Sequence, residues 1–339
     1  MKNFLKFSFL FIILVHSISA QTSEKKYFFA SWNVENLFDT VNDIGKNDEE
    51  FTPQSKKQWN GERLKTKLDN IAKVINYMNS GKAPDVMGFQ EVEHEALIDS
   101  IIFRIKDRKY GVVHAESPDT RGIDNGLIYD SNKFGLISYK VNRVNLGGNH
   151  STRDILQVEL ADKNNNVFYV FVNHWPSRLG GQEKSESLRV KAAETLKNCI
   201  DKIYAYDNNP NIICVGDFND EPNNVSVTET LKAFNFDCKQ FPNKNDRLVN
   251  LSYNKFSNKQ GTIKFRGEFN LIDQIIISKS LFDKIQNSDK CDLYNIVNPA
   301  WLLQTDGQYA GAAIPTYGGN RYFGGFSDHL PVSLEFILN

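Results

Sequence analysis

Polar side chains that can bind metal or phosphate stand at the ends of several apolar segments of this 339-residue chain. Four segments end in them, with Asn33 and Glu35 in SWNVENLFD, Glu91 in DVMGFQEVE, His174 in FYVFVNHWPSR, and Asp217 and Asn219 in IICVGDFND. Two further segments begin with them, with Asp273 in NLIDQIIIS and with Asp328 and His329 in FSDHLPVSLEF. A single residue of this kind is most often a turn or a helix N-cap. Their recurrence in one context predicts a shared site.

Hydrolysis of a phosphoric ester is the chemistry that these residue types suit. Attack by water on an anionic phosphate needs charge neutralisation, an oriented nucleophile and stabilisation of the leaving oxygen. Carboxylate and amide oxygens suit a hard cation such as Mg²⁺ or Mn²⁺, and the chain has no Cys/His spacing typical of zinc. The sequence therefore predicts a magnesium or manganese site that holds a phosphate.

Helices and many short strands must position these residues. Apolar spacing predicts helices over 64–78, 94–106 and 185–203. Apolar or alternating runs predict strands over 27–32, 85–90, 126–129, 134–144, 154–160, 167–173, 211–216, 271–278 and 331–338. The polar residues follow some strands and precede others, so a shared edge requires strands that run in both directions. We therefore expect an α/β (α+β) protein with mixed sheets, and functional loops at the irregular stretches 41–62 and 304–326.

Six motifs carry a resemblance to a known family. WNVEN, GFQEVE, NHWPSR, GDFND, LIDQIIIS and SDHLPV resemble, in order and wording, the deoxyribonuclease I-like endonuclease/exonuclease/phosphatase superfamily from about Phe28 to Phe336. The longer strings NVENLFDT and SPDTRGIDNGLIYD resemble a secreted bacterial branch of it. The resemblance implies a four-layer sandwich of two stacked mixed β-sheets flanked by helices. Because the expected site draws on both ends of the chain, we expect a single domain.

The resemblance also implies a metal-binding group. Glu91 is the expected principal ligand, with Glu35 and Asp328 close to the metal and Asn33 completing the polar shell. Many relatives have Asp where this chain has Glu35. The longer side chain leaves open whether Glu35 binds the metal directly or through water.

The remaining roles concern water and phosphate. The resemblance implies that Asp217 orients or deprotonates water, that the Asn219 amide binds a phosphate oxygen, and that His174 donates to phosphate or assists the leaving group. Asp273 is expected to pair with His329 and raise its pKa. Three further residues are candidates for phosphate contacts, each with packing or a structural salt bridge as the alternative: Tyr129, Arg121 and Arg178. We expect His94, His114 and His150 to lie outside the site.

The N-terminus predicts export. Lys2 and Lys6 precede an apolar run over 7–15 and small residues up to Ala20, the pattern of a signal peptide over 1–20 that is cleaved from a domain over 21–339. A retained N-terminal anchor is the alternative. We therefore expect a secreted or periplasmic protein without stable membrane insertion. The pairing of Cys199, Cys214, Cys238 and Cys291 stays open, with buried free thiols expected at least as readily as disulfides for the first two.

The charge composition indicates how the protein can contact phosphate. Forty Lys and Arg residues against 41 Asp and Glu residues give a net charge of −1, so phosphate must be bound locally rather than by a broad basic face. The leading hypothesis is a nonspecific endonuclease that acts on extracellular DNA or RNA. The alternative is a sphingomyelinase-like phosphodiesterase or a phosphatase on lipid headgroups or sugar phosphates. The sequence leaves the number of metal ions and the oligomeric state open.

Overall fold

The computed structural model describes residues 25–148, 150–286 and 290–338. The predicted signal peptide over 1–20 lies outside the described residues. The strands are β1 (Lys25–Leu37), β2 (Val86–Val92), β3 (Tyr110–His114), β4 (Asp124–Asp130), β5 (Phe134–Asn142), β6 (Ile155–Asp162), β7 (Val167–His174), β8 (Asn211–Asp217), β9 (Ala233–Asn235), β10 (Leu248–Asn250), β11 (Ile263–Phe265), β12 (Glu268–Asn270), β13 (Asp273–Ser278), β14 (Tyr294–Ile296), β15 (Tyr317–Gly318), β16 (Arg321–Tyr322) and β17 (Val332–Leu338). The helices are α1 (Gly61–Gly81), α2 (Glu95–Ile102), α3 (Gln182–Tyr204), α4 (Tyr253–Ser257) and α5 (Lys279–Lys284).

Two large mixed sheets form the centre of the fold. The first has six strands in the order β14-β17-β1-β2-β4-β3, and the second has seven in the order β5-β6-β7-β8-β13-β10-β9. Strand β1 is parallel to β2 and β7 is parallel to β8, whereas β13 and β17 run antiparallel to their neighbours β8 and β1. The strands that end in site residues therefore run opposite to the two that begin with them. This arrangement confirms the predicted mixed sheets.

Three apolar layers hold the sheets and helices together. Between the sheets, side chains such as Phe29 and Leu127 pack against Val172 and Ile275. Helices α1 and α2 cover the outer face of the first sheet, and α3 covers the outer face of the second. The order helix, sheet, sheet, helix is the predicted four-layer sandwich in one domain. Burial of each large apolar side chain contributes about 1.5–3 kcal/mol.

Local sequence explains where the long first helix begins and ends. The Asn60 side chain accepts a hydrogen bond from the Arg63 backbone N–H, as an N-cap does. Helical dihedral angles stop at Met78, and Asn79 and Ser80 adopt positive φ values before Gly81. The observed helix is therefore one turn longer at its start than the predicted span 64–78.

Both predicted loops are packed against the rest of the protein. In the loop over 41–62, Phe51 and Trp59 are buried beside Phe38, and the Trp59 indole donates to the Phe38 carbonyl. The loop over 304–326 contains the β15–β16 hairpin, whose Tyr317 ring lies 6.0 Å from that of Trp59. The two loops therefore support each other beside the end of β1.

The cysteines divide into two kinds. A disulfide joins Cys238 and Cys291, whereas Cys199 and Cys214 are buried free thiols in the α3 layer. None of the helices in the described ranges is long and apolar enough to cross a membrane.

Candidate active site

Three strand ends of the second sheet form one row of site residues. Strand pairing places His174 beside Asp217 and Asp217 beside Asp273, on β7, β8 and β13. Gly216 makes the approach possible, because a Cβ atom there would lie 2.0 Å from the Asn173 carbonyl oxygen. The row arises because β13 runs opposite to β8, so that the start of one strand lies beside the end of the other.

His329, at the start of β17, joins this row from the first sheet. Its Nδ1 lies 2.8 Å from Asp273 Oδ2, which is the predicted pairing. Thr262 donates a second hydrogen bond to the same Asp273 oxygen, at 2.5 Å. Burial alone would lower the pKa of His329, but the carboxylates of Asp273, Asp328 and Asp217 outweigh it and raise that pKa well above its ordinary value. His329 is therefore held as imidazolium.

Asp217 lies between the two histidines. Its Oδ2 is 3.6 Å from His174 Nε2 and 3.9 Å from His329 Nε2. Asn33 Nδ2 donates to that oxygen at 3.1 Å, and the Asn219 backbone N–H donates to Oδ1 at 2.8 Å. Burial raises the pKa of Asp217 to about 6, with His329 opposing this effect. A carboxylate with this proton affinity suits a base that works near neutral pH.

His174 has the opposite electrostatic surroundings to His329. Burial lowers the pKa of His174 well below its ordinary value, and Arg153 and Arg121 add to the effect. Its Nδ1 is buried and has no hydrogen-bond partner among the residues that the structure describes, while Nε2 faces Asp217 and Glu91. One histidine is thus neutral and the other charged, which separates their chemical roles.

The oxygen donors of the predicted metal group fit a hard divalent cation. Glu91 Oε2 accepts the Asn36 N–H at 2.8 Å, and its Oε1 lies 3.8 Å from His174 Nε2. The Asp328 side chain is 47% exposed, so it can turn toward an ion. Glu35, Glu91 and Asp328 lie close enough to interact electrostatically. Three such carboxylates with no thiolate among them match the preferences of Mg²⁺ or Mn²⁺.

Glu35 is bound more closely to the protein than the other two carboxylates. Its Oε2 accepts the Thr316 backbone N–H at 2.7 Å and its Oε1 accepts the Tyr317 N–H at 3.2 Å. The Nζ of the buried Lys67 lies 3.9 Å from Oε2. Both carboxylate oxygens of Glu35 therefore have backbone donors from the loop over 304–326, and this favours contact with a metal through water over direct ligation.

β-Bulges set the orientation of Glu35 and Glu91, the two carboxylates on the strands of the first sheet. The β1–β2 register shifts between Asn33 and Leu37, and the β2–β4 register shifts between Gln90 and Val92. Glu35 and Glu91 lie within these shifts with φ values of 53° and 65°. Such backbone costs of order 1–3 kcal/mol per residue and is concentrated at functional sites. The bulges turn Glu35 and Glu91 out of the regular alternation of the strand.

Comparison with known proteins agrees with this geometry. Residues 28–337 match the Endonuclease/Exonuclease/phosphatase family. The chain belongs to this family. No curated protein matches the sequence.

Solved structures show the same fold at low sequence identity. A truncated Caenorhabditis elegans TDP2 aligns with a TM-score of 0.57 and 14% identity, covering 92% of this chain and 97% of the other. A mannosyl-6-phosphatase from Bacteroides thetaiotaomicron gives 0.54 and 17%, covering 92% and 100%. The human Nocturnin catalytic domain with a bound sulfate gives 0.54 and 17%, covering 93% and 96%. The likeness establishes an endonuclease/exonuclease/phosphatase fold and leaves the substrate open.

Tyr129 lies away from the endonuclease/exonuclease/phosphatase site, and its predicted phosphate contact is corrected. Because β4 runs antiparallel to β2, Asn125 pairs with Gln90 at the site edge, whereas Tyr129 pairs with Val86 at the other end. Four residues of strand correspond to about 13 Å. The Tyr129 ring lies over Gly111 of β3, so it packs within the sheet.

The two candidate arginines have different surroundings. Arg121 is on the rim, where Nη1 lies 3.5 Å from Asn36 Oδ1 and the side chain is partly exposed. Arg178 is instead engaged with protein groups. It donates to the Asn219 carbonyl at 2.7 Å and to Asn270 Oδ1 at 3.0 Å. These bonds favour the structural alternative for Arg178, and its phosphate contact stays a prediction.

Sequence reasoning missed two buried cations. Arg153 donates to the Trp175 carbonyl at 2.9 Å and to Asp119 at 3.2 Å, and so lies behind His174. Lys67 donates to Thr316 Oγ1 at 2.6 Å and to the Phe326 carbonyl at 2.7 Å. Lys67 had a visible signal, since it falls on the apolar stripe of α1 four and eight residues before Ile71 and Ile75.

Proposed function

We propose that this protein is an exported, divalent-metal-dependent phosphodiester hydrolase that acts on DNA or RNA without sequence specificity. The observation that carries the proposal is the buried Asp217 between a charged and a neutral histidine, beside a group of three carboxylates. This arrangement places a base, a cationic phosphate contact and oxygen ligands for a metal at one edge.

The residues divide the reaction as follows. Asp217 takes a proton from water while the water oxygen forms a bond to phosphorus and the bond to the leaving oxygen breaks. His329 and the Asn219 side-chain amide bind the phosphate oxygens, and the neutral His174 contacts the leaving side. A metal held by Glu91 and Asp328, with Glu35 reaching it through water, would neutralise the phosphate charge and stabilise the leaving oxygen.

Open space beside the site favours a diester over a monoester. A cavity of 780 Å³ adjoins Asn219, and a cavity of 220 Å³ is lined by Glu35 and Asp328. A phosphodiester carries two substituents; the larger cavity can receive one of them, whereas the smaller cavity adjoins the carboxylates that would hold the metal. A sugar phosphate is the second candidate, because the mannosyl-6-phosphatase has the same fold.

Hydrolysis of bis(p-nitrophenyl) phosphate with Mg²⁺ or Mn²⁺ tests the site. Glu91→Ala and His329→Ala should each lower kcat at least about 100-fold, the usual cost of losing an electrostatic group at a reacting centre. Glu229→Ala is the matched control, because Glu229 is an exposed carboxylate outside the cluster. Metal-dependent turnover that survives both site changes would show that the site has been assigned wrongly.

Four substrates presented side by side test the substrate class. We expect plasmid DNA and RNA to be cut and sphingomyelin and mannose 6-phosphate to remain intact. If mannose 6-phosphate is the one hydrolysed, the diester proposal fails and the second candidate takes its place.

Export is supported by the disulfide between Cys238 and Cys291, since disulfides persist in oxidising compartments. Mass spectrometry of protein recovered from the periplasm and the medium should find a chain that begins at Gln21. A full-length chain retained in the membrane fraction would instead indicate the uncleaved anchor.

A further inference from the structure

A cavity of 780 Å³ lies beside the row formed by His174, Asp217 and Asp273. One wall is the segment over 177–182, and the other is the β11–β12 hairpin. Asn219 and Ile272 also line it, and they are close neighbours in sequence of Asp217 and Asp273. The cavity therefore opens onto the position where a phosphate would lie.

We propose that this cavity binds a nucleobase of the substrate next to the scissile phosphate, with Phe265 as the stacking surface and Arg266 as the contact to an adjoining phosphate. The inference rests on the proposed nuclease function and assigns the subsite that would receive the base.

The hairpin turn places Phe265 and Arg266 at the cavity. Phe265 pairs with Glu268, and the two residues between them, Arg266 and Gly267, have φ values of 52° and 90°. Positive φ at both central positions is typical of the tight turn that matches strand twist. Alternation along β11 then directs Ile263 and Phe265 to the same face, the one that lines the cavity.

Apolar side chains are left exposed at this cavity. Phe265 is 63% exposed and Leu179, on the opposite wall, is 88% exposed. Both side chains line a space of suitable volume for a drug-sized ligand. The flat π surface of Phe265 can stack on bases of any identity, which fits a nuclease without sequence specificity.

The two arginines that line the cavity have different roles, because Arg178 binds protein groups whereas Arg266 is available to a ligand. Arg178 links the two walls, because it donates to the Asn219 carbonyl on one side and to Asn270 on the other. Arg266 has no ion-pair partner within the described residues, and its guanidinium carbon lies 5.2 Å from the centre of the Phe265 ring. A cation that is free and close to an aromatic face suits a nucleotide, whose base stacks while its phosphate takes the charge.

Amide side chains interrupt the mostly apolar lining of this cavity, and they disfavour a lipid chain. Gln182, Asn219 and Asn270 present amide groups beside the apolar surfaces. An acyl chain would remove the Gln182 amide from water without giving it hydrogen bonds, whereas the edge of a base can supply donors and acceptors.

The test compares an oligothymidylate with an oligomer of the same length made of abasic residues. For each enzyme variant, the ratio of kcat/KM on the two substrates reports the contribution of the base. We expect Phe265→Ala to lower this ratio about 10-fold, since stacking contributes about 1–3 kcal/mol per base. Phe265→Tyr should preserve the ratio, and Arg266→Ala should lower kcat/KM on both oligomers by similar factors.

Two controls match the changed residues in type. Phe103→Ala removes a phenylalanine that is 89% exposed at the end of α2. Arg247→Ala removes an arginine that lies 5.0 Å from the ring of Tyr204, at the start of β10. Both controls should leave the ratio unchanged.

The possible failures are distinguishable. If the wild-type protein cleaves bis(p-nitrophenyl) phosphate but neither oligomer, the nucleic-acid substrate and the base subsite are both overturned. If it cleaves oligothymidylate and Phe265→Ala lowers activity on the abasic oligomer equally, the base subsite alone is overturned. If Phe265→Ala instead lowers hydrolysis of sphingomyelin vesicles, the cavity binds lipid and the inference is wrong.

Discussion

Replacing Lys67 with Met removes a buried ammonium group and keeps most of the side-chain volume. Lys67 lies on α1 and bonds to Thr316 and Phe326, the two ends of the segment that carries the β15–β16 hairpin. It also lies 3.9 Å from Glu35, which binds the backbone of the same segment. We therefore expect the change to loosen the loop and to destabilise the fold.

The hydrogen bonds set the size of this effect. Two bonds from a charged donor contribute about 1.5–3 kcal/mol each, and removal of one partner from a buried ion pair costs about 3–5 kcal/mol. Burial lowers the pKa of Lys67, so relief of its desolvation offsets part of the loss. We expect a net decrease of about 3–5 kcal/mol in the free energy of unfolding. With an unfolding entropy of about 0.65 kcal/mol per degree for a domain of this length, the Tm should fall by about 5–8 °C.

Thermal unfolding with a matched lysine variant gives the measurement. Lys65→Met lies on the same helix, and its side chain is exposed and pairs with Asp69. Such a surface pair contributes about 0–1 kcal/mol, so its Tm should change by less than about 2 °C. Titration of Mg²⁺ by calorimetry adds a second readout, in which Lys67→Met should weaken binding about 10-fold or more. If Lys67→Met and Lys65→Met have the same Tm and the magnesium affinity is unchanged, the inference that Lys67 holds the segment from Thr316 to Phe326 in place is wrong.

Three further outcomes concern groups away from the reacting centre. Burial raises the pKa of Asp124 to about 7, above its value in the unfolded chain, so the stability that its protonated form contributes is lost as the pH rises from 4 to 7. Urea unfolding should therefore show that Asp124→Asn gains about 1 kcal/mol or more of stability relative to wild type between pH 4.5 and pH 8. Replacing Cys238 and Cys291 together by Ala should cost about 2–4 kcal/mol by the same assay, and no loss would contradict a structural disulfide. Cys199 and Cys214, buried with raised pKa values, should react with a thiol reagent only after denaturation; rapid labelling of the native protein would contradict their burial.

Strand ends were the most informative part of the sequence. All nine predicted strands and all three predicted helices are present, because apolar periodicity reports burial directly. The polar residues that end or begin the predicted strands meet at one edge, because the end of the strand at which each residue stands showed the direction of that strand. Short strands such as β9, β10 and β14 escaped prediction, since three residues carry no measurable period.

Tyr129 and Glu35 show what a single sequence does not contain. The motif around Tyr129 reads the same whichever way β4 runs, and only its pairing with β2 reveals which end lies at the site. The sequence leaves open whether Glu35 binds a metal directly or through water, and the backbone donor that favours water comes from Thr316, 281 residues further along the chain. Contacts at this separation depend on how the two loops pack, and no local pattern reports that packing.

The direction of the strands explains how one edge can hold two histidines of opposite charge state. His174 ends β7 and lies among the cations Arg153 and Arg121, whereas His329 begins β17 and faces the carboxylate of Asp273 at the start of β13. A parallel sheet would bring only strand ends to this edge. The antiparallel strands β13 and β17 add strand starts, and with them a second electrostatic environment a few ångströms from the first. In the proposed reaction, Asp217, at the boundary between the two, exchanges a proton while the imidazolium of His329 holds phosphate.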